Sequence, residues 1–165
     1  MVRNQIKAVV EQLNSQPTFL YGTKNELNLL ADKAQFPVVM LYNLKPITIE
    51  TTISNAVNST YDLYMEFLAI TDFDEYTNDN ETIVQTMGHL LKEFLVKLEY
   101  YRMSPNRPRY FRQTVGQKYR SLPVYNKLDV NSTGVSLSIT LETMEDTNYD
   151  PNSRPMGYVP DPVFN

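Results

Sequence analysis

The chain of 165 residues has no cysteine, no tryptophan, a single histidine (His89) and only five glycines. Without cysteine there is no disulfide framework, thiolate metal site, iron–sulfur ligation or cysteine nucleophile. One histidine rules out a two- or three-histidine metal centre within one chain. So few glycines leave little for loops that cradle phosphates, and no Walker loop, dinucleotide fingerprint or Gly-x-Ser-x-Gly elbow occurs. No apolar run approaches the roughly 20 residues of a membrane span. The opening MVRNQIKAVVEQL lacks the continuous apolar stretch of a signal peptide. These absences lead to the expectation of a protein that is not an enzyme, carries no cofactor or metal, and stays in a cytoplasm.

What remains is the composition of one soluble domain, 42% hydrophobic and 21% charged. The net charge of −4 hides an uneven distribution. From Tyr100 to Leu128 there is no acidic residue and there are seven basic ones: Arg102, Arg107, Arg109, Arg112, Lys118, Arg120 and Lys127. The rest of the chain therefore carries −11, with 8 basic residues against 19 acidic. That division bears on association rather than on fold.

Ile6, Val9, Val10 and Leu13 fall at helical spacing and predict a short N-terminal helix that ends before Pro17. Phe19 to Ala34 is ambiguous, with a helical turn or two from Glu26. The apolar run Phe36–Asn43 reads as a strand covered on both faces. Ile47, Ile49, Thr51 and Ile53 alternate with polar residues, and Thr60–Thr71 continues in period two, with Asn55–Ser59 as the hairpin turn between them. Asp72–Glu81 holds five acids but lacks the glycine and twelfth-position glutamate of an EF-hand, so it reads as a solvated loop.

The strongest helix spans Asn80 to about Arg102, with Ile83, Met87, Leu90, Leu91, Phe94, Leu98 and Tyr101 on one stripe, Asn78 and Glu81 forming a capping box, and His89 on the wet side. Met103–Gly116 reads as an irregular loop. Arg120–Leu128 and Gly134–Met144 are two further strands joined by the turn Asp129–Thr133. From Glu145 onward four prolines in twenty-one residues preclude a helix or an internal strand. The expected fold class is α+β: a mostly antiparallel sheet of about five strands with one long helix packed on a face, an N-terminal helix and an extended C-terminal arm. Residues 1–145 form the domain and 146–165 the proline-rich arm.

Two segments stand out as contact elements. The basic one interleaves Arg102, Arg107, Arg109, Arg112, Lys118 and Arg120 with Tyr110 and Phe111. Such a mixture suits a protein interface and also single-stranded nucleic acid. The acidic remainder favours the first, because it repels a polyanion and attracts the basic segment of an identical neighbour. The second element is the arm, whose Met156, Tyr158 and Phe164 gain most by docking on another surface.

The order of elements, carried by FPVVMLY, ITIETTI, YDLYMEFLAI, NETIVQTMGHLLKEFLVKLEYYR and VSLSITLETM, resembles the tail terminator and tail completion proteins of tailed bacteriophages. The resemblance covers roughly Ile6 to Met144. It implies a virion structural protein that is assembled in the host bacterial cytoplasm. It further implies a ring, commonly a hexamer, that contacts connector, neck or tail-tube proteins, with DNA only as passing cargo and no membrane. The alternative reading is a small cytoplasmic nucleic-acid-binding module that uses the 102–120 segment.

Overall fold

A computed structural model of the chain describes residues 2–43, 45–51, 56–71, 79–103, 111–112, 119–128 and 131–146. In chain order the elements are α1 (Val2–Val10), β1 (Thr18–Gly22), α2 (Lys24–Ala31), β2 (Val38–Tyr42), β3 (Lys45–Thr51), β4 (Ala56–Ile70), α3 (Asp79–Met103), β5 (Phe111–Arg112), β6 (Arg120–Lys127) and β7 (Ser132–Asp146). The strands form one mixed sheet in the order β1-β2-β4-β7-β5, with β3 on β4 and β6 on β7. Only β1 and β2 run parallel; the other pairings are antiparallel. The fold is α+β, as the sequence pattern implies. Seven strands rather than about five arise because the ambiguous Phe19 region pairs with β2 and Phe111–Arg112 pairs with β7.

β4 and β7 pair over fifteen residues, from Ala56 opposite Asp146 to Ile70 opposite Ser132. Strict alternation along both strands sends Leu63, Met65 and Phe67, with Val135, Leu137, Ile139 and Leu141, to one face. There they meet Met87, Leu90, Leu91, Phe94 and Leu98 of α3 and Ile6, Val9, Val10 and Leu13 of the N-terminal segment. The Phe67 and Phe94 rings pack at 5.5 Å and 60°, a tilted aromatic contact at the centre of this core. The Asn14 N–H donates to Glu93 Oε1 and ties the end of the first helical segment to α3. His89 is exposed, on the side of α3 away from the apolar stripe.

β2 is buried along both faces, as its unbroken apolar run requires. Val39 and Leu41 enter the α3 core, whereas Val38 and Met40 join Leu27, Ala31 and Leu68 beneath α2. α2 begins two residues earlier than the sequence pattern places it. Its start is a capping box: Glu26 N–H donates to Thr23 Oγ1, and Thr23 N–H donates to Glu26 Oε2 at 2.7 Å. These bonds from Thr23 hold the Glu26 carboxyl below its ordinary range.

One turn differs from expectation. β4 already begins at Ala56, because Ala56–Ser59 pairs with β7 on one side and Val57–Ser59 with β3 on the other, so the hairpin turn is not at Asn55–Ser59. The turn before β7 lies where the sequence pattern places it, at Asp129–Thr133, and its described end is bonded to the end of β4. Asn131 is buried at φ 45°, accepts from Thr71 N–H and donates its Nδ2 to the Thr71 carbonyl. The Asn78 capping expectation and most of the acidic stretch lie outside the described residues.

Gly134 faces Leu68 where β7 crosses β4, and a Cβ there would overlap the Phe67 carbonyl oxygen. Gly88, inside α3, has open space around the same position. Gly134→Ala is therefore expected to cost about 1–3 kcal/mol in urea unfolding. Gly88→Ala should gain about 0.8–1 kcal/mol from helix propensity. Equal effects of the two substitutions would contradict the close strand crossing at Gly134.

Candidate interaction surface

The structure brings part of the basic segment to the outer side of β7. Arg102 lies in the last turn of α3. Phe111 and Arg112 form β5, opposite Thr143 and Glu142, so the stretch read as an irregular loop contains a short strand. Arg120 opens β6 opposite Ser138 and is exposed. Arg107, Arg109, Tyr110, Lys118, Met156, Tyr158 and Phe164 lie outside the described residues. The segment thus leaves α3, touches the distal half of β7 and returns at its middle.

Among the described residues, the sheet face opposite α3 is covered by α2 only at the β1–β2 side. Beyond that cover, alternation brings Asp62, Tyr64 and Ile70 of β4, Ser138 and Thr140 of β7, and Arg120 and Leu122 of β6 to one face. Ile70 is 58% exposed and Leu122 51%. Sequence alternation placed Leu68 and Ile70 on one increasingly apolar face; α2 buries Leu68 and leaves Ile70 outside. Thr140 Oγ1 donates to Asp62 Oδ1 at 2.7 Å across the β4–β7 pair. A depression of about 340 Å³ lies at this level, bounded by Asp62, Tyr64, Ser138 and Tyr119. The Tyr119 hydroxyl donates to Glu99 Oε1 and so fixes the start of β6 to α3.

At the boundary between the covered and open halves sits Glu66, fully buried on β4. Burial of a carboxylate is costly unless donors replace its water. Here the Tyr42 hydroxyl donates to Oε2 at 2.8 Å and the Tyr64 hydroxyl to Oε1 at 2.9 Å. The two rings pack 5.1 Å apart. Burial foremost, then the bond to Glu66, pushes the Tyr42 phenol well above its ordinary value. Period-two alternation located Glu66 on this face, but nothing in the sequence marked two tyrosines converging on it.

A second depression, about 490 Å³ and mostly apolar, lies where α2 meets the end of β1, bounded by Tyr21, Gly22, Glu26, Leu29, Leu30 and Asn43. Leu29 is 70% exposed and Leu30 44%. Sequence reading missed this patch. Its available signal was Thr23-x-x-Glu26 followed by Leu27, Leu29, Leu30 and Ala31, more apolar positions than one buried helix stripe holds.

No protein-family profile matches the chain, and no characterised protein matches its sequence. Among the described residues no helix is long and apolar enough to cross a membrane, and no group of three or more His, Asp or Glu side chains is placed to hold a metal ion. The exposed hydroxyls, the arginine and the apolar side chains of the open face are groups from which protein interfaces are built.

Tyr42→Phe should lower stability by about 1.5–3 kcal/mol, the contribution of a hydrogen bond to a charged acceptor. A phenol whose folded pKa is raised stabilises fully below its unfolded value near 10.0. That stability is lost as pH rises above this value. Urea midpoints measured across alkaline pH should therefore fall more steeply for the parent chain than for Tyr42→Phe. Parallel profiles would contradict the Tyr42–Glu66 assignment.

Proposed function

We propose that the chain is a ring-forming structural subunit of the neck or tail of a tailed bacteriophage, in a tail terminator or head–tail completion role. The observation that carries this reading is the half-open sheet face, which displays Tyr64, Ile70, Leu122 and Arg120 beside the points where the basic segment meets β7. A sheet face without a helical layer is a surface suited to another subunit. The opposite charges of segment and body favour head-to-tail contact, because a basic element on one copy meets an acidic body on the next. Such a heterologous contact, repeated about an axis, closes into a ring when the rotation between neighbours permits. The role is geometric: a ring of fixed diameter matches adjoining rings around a channel through which DNA passes. Partners on this reading are further copies of the chain and the adjoining connector or tail-tube proteins. The resemblance in element order points in the same direction.

Charge reversal tests the contact. Arg109→Glu combined with Arg112→Glu should shift the assembly to monomers in sedimentation velocity while circular dichroism and the urea midpoint stay unchanged. Added salt should weaken the parent assembly in the same direction, as exposed charge pairs are screened. An assembly indifferent to both would overturn the role of the basic segment. A monomer whose DNA affinity falls linearly with the logarithm of salt concentration would favour the nucleic-acid-binding module instead.

A further inference from the structure

From the apolar depression at the margin of the sheet, we infer that it receives the segment Met156–Phe164 of a neighbouring copy, an inference that rests on the ring reading above. Three observations lead there. First, β1 is the outermost strand at its margin of the sheet among the described residues, and α2 leaves Leu29 and Leu30 exposed beside its end. An outer strand is a template on which an extended segment adds. The Arg3 guanidinium, 4.5 Å above the Tyr21 ring, holds one wall of the depression.

Second, the sequence beyond β7 suits an outer position. Pro155 and Pro160 bracket a four-residue run, Met156-Gly157-Tyr158-Val159, against a β1 of five residues. The flanking prolines have no N–H to donate, which confines such a strand to one margin of a sheet. Val163 and Phe164 follow, and the apolar side chains of this stretch match the lining offered by Leu29, Leu30 and Tyr21.

Third, β7 ends well away from the depression. Tyr64 lies level with Ser138 and its ring touches Tyr42, next to Asn43 of the depression wall. β7 continues for eight residues from Ser138 to Asp146, about 27 Å at ~3.4 Å per residue. The described part of β7 thus ends at the far end of the β4–β7 ribbon. In a head-to-tail ring the depression of the next copy is the one that lies ahead. The arm then joins adjacent subunits through a contact separate from the charged one.

The absence of native cysteine makes the test direct. Full-length Leu30→Cys and Tyr158→Cys chains are mixed, allowed to exchange subunits and oxidised, and the disulfides are mapped by mass spectrometry. A Lys92→Cys chain, exposed on α3, replaces Leu30→Cys as the control. Docking should raise linkage of positions 30 and 158 about tenfold over the control, because a seated pair has an effective concentration near millimolar. Leu29→Cys repeats the measurement should Leu30→Cys fold poorly. Linkage no higher than the control overturns the docking. Linkage only within a chain that carries both substitutions overturns the assignment to a neighbour. The mass of the unsubstituted assembly separates the two levels: a closed ring without linkage sinks the docking alone, whereas linked pairs without a closed ring support the docking and sink the ring.

Discussion

Everything else in this molecule hangs on the register of β4 against β7. Fifteen consecutive residue pairs fix which side chains face α3 and which face away, and a slip of one residue would exchange the two sets. The register is pinned at one end by Gly134, where the backbones approach too closely for any side chain, and by Asn131, whose backbone and side chain both bond to Thr71. At the centre, Phe67 packed on Phe94 makes the correct register the one that buries the most apolar surface. The same register then dictates the polar face: Asp62 meets Thr140, Tyr64 lies level with Ser138, and Glu66 is left between two phenol hydroxyls.

The two faces answer different demands. The α3 side is filled by branched and aromatic side chains and has no need of a partner. Among the described residues, the other side is finished only where α2 lies, over Leu68 and Met40. Past that point the sheet exposes Ile70 and Leu122 alongside hydroxyls and an arginine. On the α3 side beyond the helix, Ile49 of β3 is 63% exposed, so the distal end of the ribbon is also uncovered. A protein that worked alone would gain by covering these positions, whereas one that assembles would use them. The Glu66 cluster sits at the seam and keeps a charged group dry without opening the core.

Much of this architecture is legible in the chain, for physical reasons. The long stripe from Ile83 to Leu98, the unbroken apolar run of β2 and the alternation of Val135–Leu141 each state their period over enough residues to be unambiguous. β1 is obscure because five residues at a margin show no clean alternation, and β5 because two residues carry no period. The early start of β4 escapes because Ala56–Ser59 reads as turn chemistry and becomes strand only through partners on both sides. Of the contact residues chosen from sequence, Arg102, Phe111, Arg112 and Arg120 are placed around one strand, β7, or at the helix end leading to it. The exposed leucines of α2 and the tyrosines on Glu66 depend on tertiary neighbours, which no local pattern records.

Assembly is the claim on which the functional account stands, and the state of the purified full-length chain in solution tests it most directly. Native mass spectrometry combined with negative-stain electron microscopy should show one closed ring of fixed stoichiometry with a central opening. A chain that remains monomeric at all concentrations, or that grows into open filaments of indefinite length, would contradict the account.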